Sequence, residues 1–156
     1  MFDRQLIETF AAAGQTLREA VAGLSPQQLD AHPIPGTWSI RQIVVHLADS
    51  DLVAVDRMKR IAAMERPLLI GYDESAFMRR LFPEAQPVEE TVQLFDLNRR
   101  LLAITLRKLP EEPFERWGVH NERGKVSLGG LVGDYVRHFE HHLGFIRTKR
   151  DLVAGR

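Results

Sequence analysis

Four stretches of the chain repeat apolar side chains at three- and four-residue intervals for about 20 residues or longer. Around residues 3–22 the series is Phe2, Leu6, Ile7, Phe10, Ala13, Leu17 and Val21. Over 38–65 it is Ile40, Ile43, Val44, Leu47, Ala54, Met58, Ile61 and Ala62. Over 88–108 it is Val88, Val92, Phe95, Leu101, Leu102, Leu106 and, just beyond, Leu109. Over about 128–151 the stripe is Leu128, Leu131, Val132, Tyr135, Phe139, His142 and Ile146, with Val153 continuing it. That period is helical, and nothing in the chain alternates in the manner of a strand with comparable strength. Each helix must bury its stripe, so the simplest solution is an all-α four-helix bundle.

Local signals punctuate the helices. Ser25, Pro26 and Gln28 form a capping box that predicts one short turn, ended by Pro33, Pro35 and Gly36. Ser39 and Gln42 repeat the pattern at the second long helix. Asp73 caps a short helix near 74–81, and Ser127 caps the last long one. Residues 110–126, with Pro110, Pro113, Gly118 and Gly124, read as loop. The connections exceed tight turns, so loop length does not fix the topology.

The 156 residues suit one bundle domain spanning 1–156. There is no cysteine, which excludes disulfide scaffolds and thiolate metal sites. Lys plus Arg and Asp plus Glu are both 21, so no basic excess recommends a nucleic-acid partner. Arg79-Arg80 and Arg99-Arg100 read as solvated surface. No apolar run is long enough for a membrane helix and no leader is visible, which suits a cytoplasmic protein.

The chemistry lies in the histidines. His138 and His142 are four apart on the buried half of the last helix, the spacing at which one helix offers two ligands to one ion. His141 points away from them. His46, on the flank of the second helix's stripe, is the natural third ligand, and Asp49 shares its face as an orienting residue or weak ligand, with Asp51 close behind. Three neutral imidazoles leave coordination positions open, the pattern of a reactive site. The competing reading leaves each histidine metal-free and hydrogen-bonded to backbone at the core edge. His32 and His120, flanked by proline and glycine, read as solvated or capping residues.

The run His32-Pro33-Ile34-Pro35-Gly36-Thr37-Trp38-Ser39-Ile40-Arg41-Gln42, leading to His46-Leu47-Ala48-Asp49, resembles the Trp-Ser helix start and His-Leu-Ala-Asp block of DinB/YfiT-like proteins. Tyr135-Val136-Arg137-His138-Phe139-Glu140-His141-His142 resembles that family's late helix, and Tyr72-Asp73-Glu74 its middle. The resemblance implies a four-helix bundle, often a homodimer, holding a divalent metal on His46, His138 and His142, with His141 outside the ligand set. Zinc or nickel comes first, then iron or manganese. Two positions differ from the family's thiol-transferase branch: Phe145 replaces a further His and Arg137 a Trp.

The implied activity is transfer of a low-molecular-weight thiol to an electrophile, or hydrolysis of a small substrate. Asp49 and Glu140 are candidate proton acceptors, although Glu140 is read as facing solvent. The alternatives are a non-catalytic, stress-related bundle that binds a metal or ligand, and a metal-free interaction module.

Overall fold

The computed structural model describes residues 1–155. The expected domain end, residue 156, lies outside them. Four long helices dominate: α1 (Gln5–Val21), α3 (Ile40–Ala63), α5 (Val88–Lys108) and α7 (Leu128–Val153). Short helices α2 (Pro26–Asp30), α4 (Glu74–Arg80) and α6 (Glu112–Glu115), and a 3₁₀ turn at Pro83–Ala85, lie in the connections. Both capping boxes form, on Ser25–Gln28 and Ser39–Gln42, and Asp73 and Ser127 cap α4 and α7 as expected.

Helix α1 packs chiefly on α5 and α7, and α3 packs on the same two. Helices consecutive in the chain therefore sit diagonally twice, across α1–α3 and α5–α7, which the long connections permit. Side-chain bonds give the directions. Lys149 meets Thr37, His138 meets His46 and Tyr135 meets Arg57, so α3 and α7 run antiparallel. Arg41 meets Gln86 and Asn98 meets Asp51, so α3 and α5 run parallel. Where α1 crosses α5, Gly14 is required: a Cβ there would stand 2.4 Å from that of Asp96.

Three expectations need correction. The 110–126 loop holds α6 and a hairpin, β2 (Trp117–His120) and β3 (Gly124–Ser127). Strand β1 (Leu68–Leu69) adds parallel to β2. The buried positions of β2 are Gly118 and His120, so its alternation carries no apolar signal. His120 is 5% exposed, not solvated; its Nδ1 caps the hairpin turn by accepting the Glu122 and Arg123 amides.

Arg99 is the second correction, being 1% exposed rather than on the surface. Its Nε donates to Asp51 Oδ1 at 2.8 Å, its Nη2 to the Tyr135 carbonyl at 3.1 Å, and its guanidinium lies over the rings of Phe10 and Phe95. Asp51 occupies the α3 face turned to α5 and draws Arg99 inward, so of the adjacent pair only Arg100 lies on the surface. Leu101, assigned to the core stripe, is 55% exposed.

Candidate metal centre

The α3 capping box fixes where its helix begins, and two turns on it brings His46 to the α7 face at 1% exposure. Helix α7, running antiparallel, presents His138 and His142 at the same level. The three ring centroids are 5.1 Å (His46–His138), 4.7 Å (His46–His142) and 4.6 Å (His138–His142) apart. His46 Nε2 and His138 Nε2 are 3.1 Å apart, and one nitrogen from each ring lies within 4.8 Å of the other two. Among the described residues this is the one group of three or more His, Cys, Asp or Glu close enough to hold an ion. His141 is exposed, as is His32.

Burial keeps these rings neutral. It is the first cause holding His46 below the ordinary imidazole value, against the opposing pull of Glu74. His138 is pushed down to about 4 by burial, then by His46, Arg99 and His141. His142 is pushed down to about 3 by burial and the other three rings. Neutral imidazole is the form that binds metal.

Two observations test whether an ion fits. The donor set is three imidazoles. Nitrogens about 2.0–2.1 Å from a tetrahedral zinc stand about 3.4 Å from each other; the His46 and His138 nitrogens are 3.1 Å apart, and one of His142 lies within 4.8 Å of both. The second is His142 Nδ1, a buried atom without a hydrogen-bond partner. Leaving such an atom unpaired costs on the order of 1–3 kcal/mol. The residues fit a divalent cation.

The surroundings bring in residues that sequence reasoning did not assign. Glu74 Oε2 is 3.8 Å from His46 Nε2. It arrives from the middle connection, which Arg57 ties to α3 through the Ile70 carbonyl at 2.6 Å and Asn121 ties to the hairpin through the Gly71 amide at 2.7 Å. The Asp73 cap then starts α4 with Glu74 first. Trp38 packs on His46 at 5.0 Å between centroids. Burial raises the Tyr72 hydroxyl to about 12, so it stays protonated. Asp49, half-buried with its carboxyl raised by burial, makes no hydrogen bond to the three rings, and Glu140 is exposed. Helical spacing pointed to Asp49 because it follows three residues on; Glu74 comes from a different segment, which no local spacing reveals.

Two cavities reach the cluster without sharing a lining residue. One, about 490 Å³, is lined by residues with polar side chains and meets His138 beside Ser50, Tyr72, Glu74 and Tyr135. The other, about 470 Å³, is largely apolar and meets His142 beside Trp38, Phe145 and Lys149. A larger recess, about 670 Å³ around Met64, Arg66 and Trp117, sits at the far end of α3 from His46 and holds no histidine.

The sequence matches the DinB superfamily over residues 9–146. A relative from Oceanobacillus iheyensis, named as a candidate metal-dependent hydrolase, is 34% identical over 132 residues, 85% of this chain and 76% of its own length. YfiT of Bacillus subtilis, named in the same way, is 33% identical over 132 residues, 83% of this chain and 74% of its own. A solved structure of YfiT, described as having an unusual four-helix bundle topology, superposes with a TM-score of 0.88 at 27% identity, covering 93% of this chain and 83% of that one. A mycothiol-dependent maleylpyruvate isomerase shares the fold, with a TM-score of 0.69 at 11% identity over 90% of this chain and 58% of the other.

Proposed function

We propose, from the premise that this chain belongs to the DinB superfamily, that it is a metal-dependent hydrolase of a small molecule. In this reading His46, His138 and His142 hold one divalent ion. The observation that carries it is the convergence of three neutral rings from two helices, His46 buried and His138 and His142 half-buried, with an unpaired buried nitrogen on His142. A divalent ion bound there would supply Lewis acidity, bringing a coordinated water or thiol toward ionisation near neutral pH. The chain's own groups do the rest. Glu74 holds its carboxylate beside His46, at the cavity that meets His138, where it can accept a proton. Tyr72, protonated at neutral pH, offers a donor in the same cavity. Trp38 packs against His46 and fixes its ring.

Metal analysis of the purified protein tests this reading. One equivalent of a divalent ion is expected. Zinc or nickel added to chelated protein should raise the melting temperature, by about 2.7 kcal/mol of stability at 100 times Kd. His142→Ala should abolish both. No bound ion and no thermal shift would reject it. Product release in water alone, as against release that requires an added thiol, separates hydrolysis from thiol transfer.

We also propose that the chain pairs with a second copy through α5. That helix exposes Leu94, Leu97, Leu101 and Ile104 at 45–55%, at 3-4-3 spacing on the face opposite its core side. The stripe is symmetric about position 99. An antiparallel two-fold pairing sets Leu97 on Leu101, Leu94 on Ile104, and Glu90 on Lys108 of the other copy. Glu90 and Lys108 are exposed and have no ion-pair partner among the described residues. Sedimentation should show a dimer, dissociated by Glu90→Lys and restored by Glu90→Lys with Lys108→Glu. A monomeric wild type would sink the pairing.

A further inference from the structure

The apolar cavity at His142 contains a charge with nothing to balance it. Its walls are Ile34, Trp38, Ile43 and Phe145, with Lys149 and Thr37 among the lining. Lys149 is 2% exposed and its Nζ donates to Thr37 Oγ1. An ammonium carries three donors, and no carboxylate lies within ion-pair distance of this one among the described residues. Burying a cation without a counter-ion is costly, and burial accordingly pulls the Lys149 ammonium below its ordinary value. Lys149 is two helical turns along α7 from His142, about 10 Å of rise. One end of the cavity therefore offers a desolvated cation, its walls offer apolar and aromatic surface, and its other end opens on the ring cluster.

We propose that this cavity binds the body of the substrate, an apolar monocarboxylate whose anionic end sits on Lys149. The hydrolysable bond then lies about 10 Å away, toward His142. A carboxylate supplies the missing counter-charge and accepts the two unused ammonium donors. An aliphatic or aryl-alkyl body covers Trp38 and Phe145, which is 46% exposed. The proposal rests on the hydrolase reading for its claim about substrate, but binding of the acid does not require an ion.

The test is calorimetric titration of chelated full-length protein with 4-phenylbutyrate and with the matched neutral probe, 4-phenylbutanamide. A hydrogen-bonded charge pair predicts that the acid binds about 10- to 100-fold more tightly than the amide. Lys149→Met should abolish that preference while Lys149→Arg retains most of it. Equal binding of acid and amide by the wild type overturns the proposal, a comparison that needs no variant to fold. So does Lys149→Met that binds the acid as tightly as wild type. If the acid binds only after zinc is restored, and equally well to Lys149→Met, its carboxylate sits on the ion: the proposal fails and the metal reading stands. If the acid preference holds but no ion is ever taken up, the metal reading fails and the carboxylate site stands.

Discussion

Helix α3 carries two buried polar groups five residues apart, and they are built on opposite principles. Asp51 is closed. Its carboxylate is met by Arg99 at 2.8 Å and Asn98 at 3.2 Å, both members of the ion pair are 1% exposed, and phenyl rings cover the guanidinium. Burial pushes each partner toward its neutral form, and each one's charge opposes that push on the other. His46 is left open. Its neighbours are two more rings that, if charged, would repel it, and His142 keeps a nitrogen without a partner. A buried polar residue is therefore not by itself a sign of function. The separating feature is whether the buried group meets a buried counter-charge, as Asp51 does on Arg99, or only neutral rings of its own kind; an unpaired atom alone does not separate the two, since Arg99 Nη1 also has no partner.

Removing one partner from each cluster should expose the contrast. Asp51→Leu strands the Arg99 guanidinium in the core, and breaking a buried pair this way costs about 3–5 kcal/mol. Chemical denaturation should show that loss, with a melting temperature lower by about 6–20 °C. The double variant Asp51→Leu with Arg99→Met should recover most of it. In chelated protein His142→Leu should move stability by only about 1 kcal/mol, because it removes an orphaned group and fills the space. An equal loss in both single variants would mean the rings also hold the fold together.

The second contrast is in pH. His138 and His142 titrate near 4 and 3 when folded, against about 6.5 unfolded. Between those values the unfolded chain binds more protons, so their contribution is full above pH 6.5 and is lost as pH falls toward the folded values. Chelated protein should be about 1–2 kcal/mol less stable at pH 5 than at pH 7 after allowing for partial exposure. His46 and His120, also lowered, act in the same direction. A His138→Ala, His142→Ala double variant should flatten the slope, whereas Asp51→Leu should keep it. A slope unchanged by the double variant would locate the titration elsewhere.

How much of this was legible in the sequence follows from which contacts are local. The four long helices, both capping boxes and the His138–His142 pair all follow from spacings of three or four residues. His46 could be added because it flanks the stripe of a helix long enough to reach the pair. The hairpin was hidden because four-residue strands that bury a glycine and a histidine do not look apolar. Arg99 was misplaced because its carboxylate lies 48 positions away. Glu74 and Lys149 gain their meaning from partners in other segments, His46 and Thr37, so periodicity along their own helices could not single them out.

The smallest expected effect tests whether one rod sets both clusters. Ser39 Oγ accepts the Gln42 amide at 3.2 Å, and Gln42 Oε1 accepts the Ser39 amide at 2.9 Å. Ser39→Ala removes the first bond and should cost about 1 kcal/mol. Helix α3 is locked into the bundle further along by the Asp51–Arg99 pair and by Arg57, so fraying at its first turn should leave His46 where it is. The loss should therefore be equal in chelated and zinc-loaded protein, with zinc affinity within about twofold of wild type, since an equal loss in both states means no coupling to the ion. A larger fall in affinity would show that the cap sets the level of His46 independently, and that the two clusters are positioned by different parts of the same helix.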